Sequence, residues 1–207
     1  MSSQAARVEP RITKGLLTRQ AVLRAAITRF GRDGFRATSV ADIAREASVG
    51  PTVPYAYFRS KEALFLAAVD EDAAGVIGEG LSTLDQVASI REWPETVIVA
   101  LLDALDRHPL ARRLLAGLEP EVTMRVLDVP SLSELRKATA DQLRVDQLAG
   151  LVRRDIDPDP IANGLVAVML SILMSLVQLG PVAVEIYGQD VAALIAAAIE
   201  IPAGVTP

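Results

Sequence analysis

The sequence predicts an all-α protein, with a small basic helical head followed by a larger apolar helical body. Three observations predict it. Apolar residues recur at three- and four-residue spacing from about residue 18 to the C-terminus, and no stretch alternates as a strand would. Proline and glycine break the pattern at helix-length intervals, around residues 78–80, 93–94, 108–109, 119–120, 129–130, 157–160 and 180–181. Charge divides unevenly along the 207 residues. Residues 1–61 hold eleven Lys and Arg against four Asp and Glu, a net of +7, whereas the rest of this −5 chain carries −12. A basic head on an acidic protein points to a polyanion, because each phosphate it neutralises releases condensed counterions.

In the head, a first helix is expected from about Thr18 to Asp33, with Thr18 as its cap and Gly34 as its left-handed C-cap. Val22, Leu23, Ala26, Ile27 and Phe30 make its inner face. A second helix of about eight residues starts at Ser39, whose hydroxyl can cap the Asp42 amide in a capping-box arrangement. After a turn at residues 48–50 comes a third short helix carrying Val53, Tyr55, Tyr57 and Phe58, and Ser60 then caps a fourth. Helices this short are stable only when packed together, so the head is one unit.

The body pattern continues with helices expected at Pro94–Arg107, Pro109–Leu118, Ser131–Leu151, Pro160–Leu179 and Gln189–Ile201. Residues 161–184 lack charge and are long enough to cross a bilayer. Polar and small residues along one face, and no flanking basic cluster or aromatic belt, favour a buried helix and no membrane partner. Without cysteine, and with one histidine, the chain has no disulfide and no ordinary zinc site. The run Asp155, Asp157, Asp159 lacks the glycine and closing glutamate of a calcium loop and is better read as a helix cap. No phosphate-cradling glycine loop or nucleophile–histidine pair is present, so no catalytic residue, metal or cofactor is expected. The first residues have no apolar signal segment, and a cytoplasmic location is expected.

The string Phe30-x-x-x-Gly34-Phe35, Thr38-Ser39-Val40-Ala41-Asp42-Ile43-Ala44, Ala47-x-Val49 and Tyr55-x-Tyr57-Phe58-x-Ser60-Lys61-Glu62-Ala63-Leu64 closely resembles the TetR family of one-component transcriptional regulators. The resemblance covers the N-terminal quarter. It implies a flexible basic arm over residues 1–15, a helix-turn-helix domain over 16–76 with its motif at about 39–58, and an effector-binding and dimerising body over 77–207. It also implies a homodimer on a palindrome-like operator, with the third helix in the major groove. By position, Thr38, Tyr57 and Lys61 match phosphate-contacting sites of the family, and Pro51, Thr52, Val53 and Tyr55 match base-facing ones. Ser39 and Gly50 at helix starts, and Arg11 and Lys14 of the arm, complete the expected DNA surface. A phosphate would explain a cation such as Lys61 at a helix start, where the helix dipole disfavours it.

The motif departs from the family where its usual glycine, small residue and leucine stand as Ser48, Thr52 and Pro54. With Gly50 as N-cap and Pro51 in the first position, Pro54 falls fourth, where proline deletes a hydrogen bond; a distorted or late-starting recognition helix follows. Residues 51–57 contain no Arg, Lys, Asn or Gln, which removes the common bidentate readings of guanine and adenine. Thymine-methyl contacts, DNA shape and the arm remain as sources of specificity. Phe58 reads as core.

The family's body binds a small molecule that alters the spacing of the two heads. Trp93, Leu102, Leu105, Met124, Leu127, Met169 and Leu173 are the candidates for a hydrophobic effector site, with Leu101, Leu114 and Leu115 beside them. Each also fits ordinary core, and Trp93 before Pro94 also fits a helix-start anchor. His108 suits a capping or surface role. Dimerisation is expected on the last two long helices through Gly164, Ala167, Ser171 and Ser175, which allow close approach, and through Leu194 and Ala198. The resulting function is a DNA-binding repressor released by a hydrophobic effector. The alternative is a helical carrier of hydrophobic ligands that does not bind specific DNA.

Overall fold

A computed structural model describes residues 14–84, 86–120 and 129–201. Among them it contains eight α-helices, one 3₁₀ turn and no strand: α1 (Lys14–Ala37), α2 (Val40–Glu46), the 3₁₀ turn Val53–Ala56, α3 (Lys61–Leu84), α4 (Trp93–Arg107), α5 (Pro109–Leu115), α6 (Pro130–Ala149), α7 (Pro158–Leu179) and α8 (Val182–Ile199). The expected all-α class is observed.

Two cores form. The head core gathers Val22, Ala26 and Phe30 of α1, Ile43 of α2, Phe58, and Leu64, Phe65, Ala68 and Val69 of α3. Phe65 is its centre, packing edge-on to Phe30 at 4.9 Å between ring centroids and at a tilt to Phe35, also at 4.9 Å. The body core gathers Val76 and Leu84 of α3, Val97 to Leu105 of α4, Leu132 to Leu143 of α6, and Leu165 to Leu173 of α7. Helix α3 belongs to both, so the expected boundary at residues 76/77 falls inside one continuous helix.

Several expectations need correction. Helix α1 begins at Lys14, which is therefore helical and not part of an arm; Thr18 is inside it, its hydroxyl donating to the Lys14 carbonyl at 2.9 Å instead of capping the start. At Gly34 the helix kinks with φ 82° and ψ 168°, a glycine-only geometry distinct from a left-handed cap, and resumes to Ala37. No break occurs at residues 78–80, because α4 fits closely against this part of α3: a Cβ on Gly80 would lie 3.0 Å from Leu101 Cδ2. Helix α8 starts seven residues before the expected Gln189.

Helix α7 is long and apolar enough to cross a membrane by length and composition, and 28% of its most apolar window is buried. It packs against α4, α5, α6 and α8, while Asn163, Gly164, Ala167 and Ser171 stay exposed, so the expected buried helix is only partly buried within a single chain.

Buried acids tie the loops down. Asp146 on α6, 1% exposed, accepts from Ser89 Oγ at 2.8 Å and the Ile90 amide at 2.7 Å, anchoring the segment before α4. Asp157 caps α7 by accepting from the Asp159 amide at 3.1 Å, while Asp155 and Asp159 pair with Arg153 and Arg144. That accounts for the acidic run as structure.

Candidate nucleic-acid interface and effector cavity

The helix-turn-helix is built from its caps outward. Ser39 accepts from the Asp42 amide at 3.1 Å and donates its hydroxyl to Asp42 Oδ2 at 2.5 Å, while Arg45 Nη1 donates to Asp42 Oδ1 at 2.9 Å. The Ser39 hydroxyl, followed by Arg45, holds the Asp42 carboxyl below its ordinary range. After α2 the chain reverses at Ser48, whose φ of 56° makes it the non-glycine residue in left-handed geometry among the described residues. The departure from the family's glycine thus falls at the position where glycine is conformationally favoured.

The recognition element is shorter than a helical turn-and-a-half, as the two prolines predict. Thr52, not Gly50, precedes the 3₁₀ turn, and Pro51 lies in the bend before it. Tyr55 donates to the Thr52 carbonyl at 3.1 Å and Tyr57 to the Pro54 carbonyl at 3.1 Å, three-residue spacings that leave no bond requiring a Pro54 N–H. Pro54 and Phe58 are buried and hold the element on the head core, whereas Gly50, Pro51, Thr52, Tyr55 and Ala56 are exposed. Tyr55, 55% exposed, is the largest side chain this surface presents. Val53 and Tyr57 are half-buried.

Two expected phosphate contacts have protein partners. Thr38 is 3% exposed and its hydroxyl donates to the Gly34 carbonyl at 2.8 Å, closing the end of α1. Lys61 Nζ stands 4.5 Å from the centroid of the Phe35 ring, a cation–π contact that holds this cation at the start of α3. Arg19 lies 5.1 Å over Phe58 in the same way. Arg29, Arg32 and Arg45 pair with Glu46, Asp33 and Asp42, and among the described residues Lys14, Arg24 and Arg59 are exposed cations on the head surface. Arg11 lies outside the described residues.

In the body, α3, α4, α5, α6 and α7 line a partly open cavity with about 70 Å³ free, room for several water-sized groups. Its walls are aliphatic throughout, including Ala73, Leu101, Leu114, Leu115, Leu135, Met169, Leu170 and Leu173. Of the expected effector residues, Met169 and Leu173 line it; Leu102 and Leu105 belong to the core beside α4 and do not. Trp93 is the first residue of α4, and Met124 and Leu127 lie outside the described residues. Helical periodicity could place Leu102 and Leu105 inside, but could not say which inward residue meets a void.

Gly164, Ala167 and Ser171 are exposed along α7, with Ser175 and Ala198 half-buried and Leu194 62% exposed on α8. The Ser171 and Ser175 hydroxyls donate to carbonyls of their own helix, both at 2.9 Å, which leaves the stripe smooth and apolar. Leu179, Val182 and Ile186 extend it. Among the described residues no three His, Asp or Glu side chains group as metal ligands.

Two residues with clear structural work, His108 and Asp72, were not legible as a pair in the sequence. His108, expected to cap or to lie on the surface, is a quarter-exposed side chain or less, its Nδ1 2.8 Å from Asp72 Oδ1. Asp72 itself is 3% exposed. Only partners 36 to 39 residues away along the sequence distinguish it from an ordinary surface acid of α3, so no local pattern could have flagged it.

Residues 22–68 match the family model described as bacterial regulatory proteins, tetR family. No curated protein matches the chain. Solved structures share the whole fold at low identity. A transcriptional regulator of the TetR family from Cytophaga hutchinsonii is 18% identical with a TM-score of 0.72, covering 92% of this chain and 98% of that one. FadR of Bacillus subtilis in complex with stearoyl-CoA is 18% identical with a TM-score of 0.64, covering 87% and 99%. GusR of Salmonella enterica is 21% identical with a TM-score of 0.60, covering 91% and 98%.

Proposed function

From a chain whose head is that of the tetR family of bacterial regulatory proteins, we propose a homodimeric transcriptional repressor that binds a palindrome-like operator in the cytoplasm and is released by an aliphatic effector. The carrying observation is the recognition surface: a capped α2, a tight turn and an exposed array of Gly50, Pro51, Thr52 and Tyr55, held out by buried Pro54 and Phe58. Thr52 and Tyr55 supply hydrogen bonds, while Pro51 and Val53 offer apolar contact to thymine methyls. Ser39 at the start of α2, Tyr57, and exposed Lys14, Arg24 and Arg59 hold phosphates; Arg11, with the residues before Lys14, adds a basic arm. Thr38 and Lys61 support this surface from behind through their contacts with α1 and Phe35.

The head ends and the body begins within α3, near residue 76. Two copies join through the exposed faces of α7 and α8, with Gly164, Ala167 and Ser171 allowing close approach and Leu194 filling the interface; an apolar face of this kind is costly to leave in water. The effector site is the cavity against Met169 and Leu173. Its walls offer no polar side chain, which suits a saturated hydrocarbon chain, and a protein of the same fold holds stearoyl-CoA. The effector acts only through its preference for the dimer state whose heads no longer match successive major grooves.

The test is a titration of labelled duplex from the region upstream of the gene, repeated over a salt series. Sequence-specific binding that weakens steeply with salt is expected, and absence of binding at low salt would overturn the proposal.

A further inference from the structure

Helix α5 is seven residues long and sits where the two cores meet. Its Leu110 and Leu114 are buried in the head core, its Ala111 and Leu115 in the body core. Ala111, Leu114 and Leu115 also line the cavity, so one helix separates the cavity from the head. A helix this short cannot hold itself, and the fate of its terminal groups shows what holds it.

The first turn of α5 can be accounted for amide by amide. Pro109 has none, and the Arg112 amide bonds the His108 carbonyl at 3.0 Å. The two remaining amides, Leu110 and Ala111, both donate to Asp72 Oδ2 of α3, at 2.9 and 2.8 Å. His108 offers no side-chain cap of its own; its Nδ1 donates to Asp72 Oδ1, since a carboxylate can only accept. One buried carboxylate therefore caps the whole turn, favoured by charge-assisted bonds and by the helix dipole. At the other end Gln178 of α7 donates to the Leu115 carbonyl at 2.7 Å.

Two glycines in helix interiors make room for this joint. A Cβ on Gly31 of α1 would lie 2.9 Å from the Leu110 nitrogen, and one on Gly75 of α3 would lie 2.2 Å from His108 Cε1. Glycine costs about 1 kcal/mol in such positions, and close passage of α5 supplies the reason for it.

We propose that Asp72 is the positioning residue that makes head and body one cooperative unit, by pinning the first turn of α5 between α1 and α3. Its use in relaying cavity occupancy to the head rests on the regulator reading; the joint itself does not. The test is hydrogen exchange, read peptide by peptide on the full chain over a urea series, for wild type, Asp72→Asn, Gly75→Ala and two controls. In wild type, head peptides from 40–58 and body peptides from 97–107 open together. In Asp72→Asn the cap loses its charge, and with the amide oxygen kept on the two α5 amides the NH2 group faces the His108 Nδ1 donor; head peptides are expected to open ahead of body peptides, exchanging about tenfold faster while the body changes little. Gly75→Ala leaves every acid in place but displaces His108, and should separate the two in the same way even if Asp72→Asn fails to fold. Leu64→Ala weakens the head core but removes none of the hydrogen bonds of the joint, and should lower stability while both parts still open together. Gly78→Ala, with nothing within 4 Å of the added Cβ, should leave wild-type behaviour. Joint opening in both Asp72→Asn and Gly75→Ala, or separate opening in wild type, overturns the proposal. Loss of DNA binding by wild type would instead count against the regulator reading and leave the exchange result standing.

Discussion

Head and body are filled with different material. All four phenylalanines of the chain, Phe30, Phe35, Phe58 and Phe65, lie in the head, three of them stacked around one point. The body core is aliphatic and contains a cavity and an uncovered apolar face on α7 and α8. Large flat rings with two side-chain torsions hold one arrangement, which suits a surface that must present Thr52 and Tyr55 in a fixed place. Leucine and methionine repack at little cost, which suits the proposed effector site. The lesson is that rigidity and adaptability are divided between domains by residue type, and α5 joins them.

Removing one ring from the head core has the largest expected effect. Phe30→Ala should cost the head about 3–5 kcal/mol in urea unfolding, because a fully buried ring that packs on Phe65 and Phe35 leaves a void those rings cannot fill. Met169→Leu in the cavity wall should cost less than about 1.5 kcal/mol, the range of volume-conserving swaps. Equal costs would erase the distinction between the cores.

The uncovered face gives the next effect. Leu194→Lys places a charge at the proposed interface and should weaken dimerisation by about 2 kcal/mol or more, some thirtyfold, read by light scattering across a dilution series. A variant that stays dimeric to the same concentration as wild type would remove α8 from the interface. Ser48→Gly should act in the opposite direction on the head, adding about 1 kcal/mol by relieving left-handed strain, measured by thermal unfolding.

The smallest effect is acid sensitivity of the α2 cap. The Asp42 carboxyl is held below its ordinary range, so its contribution is present above the unfolded carboxylate range and is lost as pH falls through the lower folded value. Head stability should therefore decline below roughly pH 4, and Asp42→Asn should flatten that decline. An unchanged pH profile in Asp42→Asn would show that the cap does not titrate with folding.

How far the sequence foretold this differs between the same two regions. In the head, capping at Ser39 and Ser60 and the proline disruption after Gly50 are local effects, and all three are found. The intramolecular contacts of Thr38 and Lys61 were not legible, because the Gly34 carbonyl and the Phe35 ring reach them only after the chain folds. In the body, helix order was legible from proline and glycine, but the continuity of α3 through Gly78 and Gly80 depends on how closely α4 packs there. Asp72 and Asp146 lie furthest from view. Each is a charged residue in a helix, and only the backbone amides of a distant segment make its burial possible.

The proposed function requires this head to read DNA with a short, apolar 3₁₀ element from which the usual hydrogen-bonding readers are missing. Selection of bound sequences from a randomised duplex pool tests it most directly. The account predicts symmetric half-sites whose core is rich in A·T pairs, with thymine preference reduced in Thr52→Ala and Tyr55→Ala variants. A half-site core dominated by guanine and unchanged in those variants would contradict it.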